Sequence, residues 1–424
     1  MNGVYTRDRN GVPGQVGFST YFSGLATYRA HRDLSRREPT RLSIFRMHAH
    51  RARRQSVAYR ARGNQLLGNV NISGTQKKAF RNFRARTHTM TKLGLGVLGV
   101  GRMGQRHAEN IRSLVPGARL IAVADVDLEA ARRLANALEI EHHHASIEAL
   151  VERKDIDAVV IASPSRFHLS AVQTAAAAGK HIFCEKPLAL TPEGVDQAIA
   201  AAYEAKVLLQ VGFMRRYDPA YAEAHKRIEG GEIGAPIIFR SIGRDREPPP
   251  LSFYESGSGT LFLDSSIHEF DLARWLMKDE VVDVHAFGGT LACPELSQFG
   301  ELDAGIVNLR FSRGAIGNVE SFRQSRYGYD IYTEIVGSKA TLRIGYLQQT
   351  GFTILSGEGA THDVVDHFLV RFAQAYLNEL RDFVQSVLSD SPPKVTGDDA
   401  RRALAIALAA DRSCRDSCTV QVAS

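Results

Sequence analysis

Between Leu93 and Asp125 the chain reads as an apolar run, three glycines spaced Gly99-x-Gly101-x-x-Gly104, a helix-compatible stretch from Gln105 to Leu114, and a second apolar run ending in an acid. Together these conditions specify a parallel strand–helix–strand unit that holds a dinucleotide. Gly99 permits the tight turn out of the first strand. Gly101 lets backbone approach a pyrophosphate with no Cβ in the way, and Gly104 lets the helix pack close to the sheet. The phosphates then face a helix N-terminus, where free N–H groups and the macrodipole favour negative charge. Asp125 lies 21 residues past Gly104 at a strand end, placed to accept from both hydroxyls of an adenine ribose. It would repel a 2′-phosphate, so NAD is expected over NADP. Gly94, Gly96 and Gly99 share the spacing, but that frame has no strand before it and no helix directly after it.

Short β-rich runs then alternate with helical stretches, the pattern of a parallel sheet wrapped by helices. The expected strands are Leu93–Leu98, Leu120–Ala124, Ala158–Ala162, His181–Cys184 and Val207–Val211. Expected helices include Leu128–Leu138, Ala171–Ala178 and Pro192–Ala205, the last capped by Thr191. After Gly212 the pattern changes to one helix, Pro219–Glu229, and longer alternating runs that read as antiparallel strands: Pro236–Ile242, Val281–Gly289, Ala304–Phe311, Ala315–Phe322, Asp330–Val336 and Ala340–Ile344. Gly317 falls inside a run and is expected to mark a bulge. Helix returns at His367–Leu388 and Asp398–Asp411. The fold class is therefore α/β: a Rossmann dinucleotide-binding domain over 90–211, then an α+β substrate domain with a large, mostly antiparallel open sheet over 212–424. Such a sheet has one helical face, and a partner subunit is expected to cover the other.

The net charge of +7 resides at one end. Residues 1–89 hold 18 Lys and Arg against 3 Asp and Glu, whereas from Met90 onward acids exceed bases, 43 to 35. The leader reads as a disordered segment, or one that precedes a true start at Met90; a nucleic-acid tail or a transit peptide are the alternatives. No nucleic-acid partner is expected for the folded part. No apolar run approaches the roughly 20 residues of a membrane helix, and four scattered cysteines do not make a disulfide framework. A cytoplasmic protein is expected.

Two clusters carry chemistry. Ala162-Ser-Pro-Ser-Arg-Phe-His168 and His181-Ile-Phe-Cys-Glu-Lys-Pro187 leave expected strands at the sheet edge where such folds place ligands. Lys186, before a proline, is positioned to project beside a nicotinamide and stabilise an alkoxide, although a surface lysine fits the same pattern. In Leu263-Asp-Ser-Ser-Ile-His-Glu-Phe-Asp271, Asp264 and His268 stand four apart and share one helix face. The aspartate could orient the imidazole as a general base. A helix cap at Asp264 and a packed His268 fit equally, and no third ligand supports a metal. The triplet His142-His-His144 reads as a solvated loop.

These segments resemble the glucose-fructose oxidoreductase / inositol dehydrogenase / rhizopine catabolism (Gfo/Idh/MocA) family over about Leu93 to Val422. Several look like inositol 2-dehydrogenases: Phe183-Cys-Glu-Lys-Pro-Leu188, Val211-Gly-Phe-Met-Arg-Arg-Tyr-Asp218, Leu263 to Asp271, Tyr327-Gly-Tyr-Asp330 with Glu334-Ile-Val-Gly337, and Arg371-Phe-Ala-Gln-Ala-Tyr376. The resemblance implies a homo-oligomer, commonly a tetramer, and a Lys-Asp-His catalytic set carried onto Lys186, Asp264 and His268. It places Arg215, Tyr329 and Asp245 with those three in a polyol pocket, although some relatives have a histidine and an asparagine where this chain has Gly243-Arg-Asp245. Gly99, Gly101, Arg102, Met103, Gly104, Asp125, Ser163, Pro164, His168, Glu185 and Lys186 are expected to hold NAD, and no metal is expected. The reaction expected is oxidation of myo-inositol to an inosose. Another cyclic polyol or sugar (scyllo-inositol, an aldose) is the nearer rival, and a non-catalytic NAD-binding sensor the more distant one.

Overall fold

The computed structural model describes residues 92–255, 257 and 259–423. The expected leader and the start at Met90 lie outside the described residues. Six parallel strands, β1 (Leu93–Leu98), β2 (Ala118–Ala124), β3 (His142–His144), β4 (Ala158–Ile161), β5 (His181–Glu185) and β6 (Leu209–Gly212), form a sheet in the order β3-β2-β1-β4-β5-β6. The connecting helices are α1 (Arg102–Ser113), α2 (Leu128–Ala137), α3 (Ile147–Val151), α4 (His168–Ala177) and α5 (Pro192–Glu204). Local chemistry sets their starts. Asp127, Ser146 and Thr191 each accept a hydrogen bond from a first-turn N–H of α2, α3 and α5, and Pro192 occupies the first helical position of α5, where it gives up no needed donor.

One expectation fails here. His142–His144 is not a solvated loop: its half-buried residues pair in parallel with Ala122–Ala124, and Asp125 N–H donates to the His144 carbonyl. The unpaired backbone edge of β2 is a stronger constraint than the polarity of three histidines. The glycines Gly94 and Gly96 lie within β1, where a Cβ on Gly94 would stand 1.9 Å from the Asp155 carbonyl oxygen.

The second half opens with α6 (Pro219–Glu229) and β7 (Pro236–Arg244), followed by the helices α7 (Leu251–Glu255), α8 (Leu261–Asp264) and α9 (Ile267–Met277). Strands β8 (Val281–Gly289), β9 (Ala304–Phe311), β10 (Ile316–Phe322), β11 (Asp330–Gly337) and β12 (Thr341–Gly345) come next, then a small hairpin of β13 (Ile354–Ser356) and β14 (Gly359–Thr361). Helices α10 (Phe368–Arg371), α11 (Ala373–Ser389) and α12 (Gly397–Asp416) and strand β15 (Val420–Gln421) close the chain. The sheet order is β12-β11-β7-β10-β9-β8-β15, antiparallel except for the parallel pair β7–β10. Gly317 is not a bulge, because the β10 register runs unbroken through it. It is a packing position, where a Cβ would crowd Phe239 and Phe311 at 3.2–3.3 Å.

Two C-terminal helices tie the halves together. Leu377, Leu380, Phe383 and Val384 of α11 join Leu95, Val97 and Phe183 in one core on the parallel sheet. Ala403, Leu404 and Ala407 of α12 belong to the core that continues into the second sheet. The single helix expected over His367–Leu388 breaks at Phe372, which is fully buried with the Arg215 guanidinium 5.4 Å from its ring centre. On the sheet's outer face Phe287 and Ile306 are exposed as a cross-strand pair, with Ile316 exposed further along, on the side where a second copy is expected.

The glycine turn shows what each glycine is for. Gly99 has φ +86°, and a Cβ there would lie 2.6 Å from Ala162 O and Ser163 N. A Cβ on Gly104 would sit 1.7 Å from Gly99 O, whereas one on Gly101 meets no protein atom. Gly101 also begins α1 without a side-chain cap, leaving first-turn N–H groups for a ligand. Gly104→Ala is therefore expected to destabilise the protein by roughly 1–3 kcal/mol or more. Gly101→Ala should hold its melting temperature within about 2 °C yet weaken NAD about tenfold. Calorimetry with NAD titration checks this, and equal effects of the two variants on stability would contradict it.

Candidate active site

The strand order reverses between β1 and β4, the switch point where doubly wound sheets open a crevice. Gly99 at the end of β1 touches the Ala162–Ser163 backbone at the end of β4. Asp125 braces the same turn: its Oδ2 accepts from Val100 N–H at 2.8 Å and its Oδ1 from Asp127 N–H at 3.0 Å. Ser163 Oγ is buried and has no hydrogen-bond partner among the described residues. Met103 is half-buried, while Arg102 and Pro164 are exposed. Two residues expected to hold the cofactor make hydrogen bonds within the protein. His168 is 1% exposed, with ring nitrogens 2.7 Å from the carbonyls of Ser163 and Pro187, so it spaces two loops. Glu185 turns its carboxylate to His107 of α1.

At the end of β5, Lys186 Nζ donates to the Asp264 carbonyl at 2.6 Å and to its Oδ1 at 3.0 Å. Arg323 Nη2 donates to Asp264 Oδ2 at 3.0 Å, and its Nη1 lies 3.7 Å from Asp245. Both Asp264 oxygens are thus held by cations. Burial alone would raise the Asp264 carboxyl, but Lys186 and Arg323 outweigh it and hold it below its ordinary range.

The shared helix face expected for Asp264 and His268 does not form. The chain leaves α8 at Asp264, turns through Ser265 and Ser266, and restarts in α9. Ser266 Oγ bonds Ser321 Oγ of β10 at 2.7 Å, which pins the break to the sheet. Asp264 consequently orients Lys186 rather than the histidine. His268 packs edge-on to Phe213 with ring centres 6.0 Å apart, and its buried Nδ1 has no partner among the described residues. Burial, reinforced by the positive charges of Lys186 and Arg215, pushes the imidazole pKa well below its ordinary value. Its uncharged form is thereby favoured.

Three residues expected in a substrate pocket, Arg215, Tyr329 and Asp245, lie within electrostatic reach of one another. Arg215, 3% exposed, is paired with Glu269, and Gly243 is the reason the pair fits: a Cβ there would stand 2.7 Å from Glu269 Oε1. Tyr329 is buried beside Arg215, edge-on to Phe372 at 6.3 Å. Asp245 follows β7, and burial, aided by Asp264 and Glu269 against the pull of Arg323, raises its carboxyl to about 6. Arg323 and Glu269 have no role in the sequence reading. A lone arginine just past a strand carries no pattern, and Glu269 sits in the Asp264–Asp271 run without a spacing of its own.

Two family models match the chain, one describing an oxidoreductase family with an NAD-binding Rossmann fold over residues 93–213 and the other the GFO/IDH/MocA C-terminal domain over 221–343. The chain belongs to the GFO/IDH/MocA family. It is an NAD-dependent oxidoreductase acting on CH–OH groups. The family member scyllo-inositol 2-dehydrogenase (NAD(+)) of Bacillus subtilis is 41% identical over 77% of this chain and 95% of its own length. Myo-inositol 2-dehydrogenase of Thermotoga maritima is 36% identical over 77% and 98%. Scyllo-inositol dehydrogenase of Lactobacillus casei, solved with NAD(H) and scyllo-inositol, superposes with a TM-score of 0.75 at 33% identity over 78% of this chain and all of that one.

Because kcat/KM reports free-enzyme ionisations, the GFO/IDH/MocA pocket is expected to show a limb near pH 6, activity rising as Asp245 ionises. Asp245→Asn should remove that limb from the pH profile. A limb unchanged in the variant would take Asp245 out of the substrate's surroundings.

Proposed function

We propose that this chain oxidises an inositol ring carbinol to an inosose, with Lys186, Asp264 and His268 as its catalytic set and Gly99, Gly101, Gly104 and Asp125 holding NAD. The supporting observation is the convergence of an ammonium, fixed on a carboxylate, and a neutral imidazole beside the glycine-turn crevice. NAD supplies the hydride acceptor. His268 takes the hydroxyl proton, since its ring is neutral and lies within reach of the Lys186 charge. Lys186 stabilises the oxygen as negative charge grows on it. Asp264, held by Arg323, keeps the Lys186 ammonium aimed. Asp245, with Tyr329 and the Arg215–Glu269 pair behind it, supplies acceptors and donors that fix which ring carbon meets the nicotinamide.

Myo-inositol is the substrate expected from the sequence, and the 41% identity to a scyllo-inositol enzyme favours a second reading in which scyllo-inositol is oxidised better. Oxidation of the myo isomer at C2 and of the scyllo isomer gives the same ketone, but the hydride leaves from opposite faces of the ring, so the panel separates the two readings. The test is a panel of both isomers and an aldose with NAD and NADP, followed at the reduced-nicotinamide absorbance. Turnover is expected with an inositol and NAD. Lys186→Met and His268→Ala should each lower it about 10²–10⁴-fold with NAD affinity preserved. An inert panel, or full turnover in both variants, would refute the reading.

A further inference from the structure

Glu185, the residue before Lys186, belongs to a second group of titratable side chains. It meets His107 of α1 and Glu379 of α11, and one nitrogen or oxygen from each of the three lies within 4.8 Å of the others. All are buried, Glu379 with no exposed surface. His107 Nε2 stands 2.6 Å from Glu185 Oε1. Both carboxylate oxygens of Glu379 are buried without a hydrogen-bond partner among the described residues, as is Oε1 of Gln210, whose amide donates to the Glu379 carbonyl at 3.1 Å. The groups facing Glu379 are Glu185 from β5, His107 from α1, Gln210 from β6, and the phenols Tyr376 and Tyr217. Burial and the Glu185 charge both disfavour its ionised form.

Two carboxylates this close in a closed interior cannot both stay ionised without a compensating charge. A shared metal ion would hold two donors about 2.1 Å from itself and so about 3 Å or more from each other. His107 and Glu185 stand closer than that, at 2.6 Å in a hydrogen bond, so a metal would have to part them whereas a proton leaves them in place.

We propose that Glu379 is kept as a neutral carboxylic acid that donates a hydrogen bond to Glu185, directly or through one water molecule, and that this acid pair positions the turn carrying Lys186. The inference rests on the reading of Lys186 as a catalytic group. The proton stays on the Glu379 oxygen and is shared with one Glu185 oxygen, while the other accepts from His107. Gly212 leaves room for that carboxylate, since a Cβ there would lie 3.0 Å from Glu185 Oε2. Beside it, Tyr376 of α11 meets the His107 ring edge-on at 6.1 Å, and Phe383 meets Phe183 at 5.9 Å. Helix α11, the helix after the glycine turn and the strand that precedes the lysine thus share one polar joint.

The proton can be read without activity, as the carbonyl-stretch band of a protonated carboxyl group in the infrared difference spectrum between wild-type and Glu379→Gln holoenzyme at about pH 8. The band is expected in the wild type and missing from the variant. Glu379→Leu should lower kcat about ten- to a hundredfold with KM for NAD nearly unchanged, and Glu379→Gln, which keeps a neutral donor of the same shape, should recover most of that loss. Absence of the band, a stoichiometric metal ion in the purified enzyme, or a Gln variant as impaired as the Leu variant would overturn the proposal. Full turnover in Lys186→Met would instead overturn the role of Lys186 and leave the infrared result standing.

Discussion

The carboxylate of Asp264 holds two cations at once, and the arrangement of the crevice follows from that. Lys186 reaches it from the parallel sheet, Arg323 from the end of β10 in the second sheet. An ammonium on a flexible four-carbon stem would otherwise sample many positions. Arg323, almost fully buried, cannot move without leaving its own charge unpaired, which costs several kcal/mol. The carboxylate therefore transmits the rigidity of one domain to the Lys186 side chain of the other.

That coupling explains why the two halves share their cores. α11 packs on the nucleotide-binding sheet although it follows the whole second sheet in sequence, and α12 bridges to the other face. A hinge between freely moving domains would lengthen the Lys186–Asp264 contact. The shared helices instead fix the distance between the glycine turn and the proposed substrate-binding residues, where hydride transfer tolerates errors of only about 1 Å.

Much of this was legible in the sequence, and the exceptions share a cause. The bounds of β1, α6, β8 and β9 match the sequence pattern to the residue, because α6 and β9 bury one face at helical and strand period while β1 is a short run buried on both faces. The three glycines are readable because their constraints are local. The break between α8 and α9 is not, since it is fixed by a serine pair 55 residues apart, and i, i+4 spacing cannot report it. The i, i+4 reading therefore pairs Asp264 with His268, whereas its carboxylate meets Lys186 and Arg323. Arg323 and Glu269 were missed for the same reason, as their meaning comes from partners brought by the second sheet. The edge strand β3 and the break at Phe372 are likewise decided by neighbours distant in sequence.

The central claim is that Lys186 and Asp264 act as one unit, and a double-mutant cycle on the rate of hydride transfer in a single turnover tests it most directly. If Asp264 works by holding the ammonium, Lys186→Met and Asp264→Asn each slow the step, and the double variant is about as slow as the slower single one. Losses that multiply in the double variant would show two independent roles and contradict the assignment.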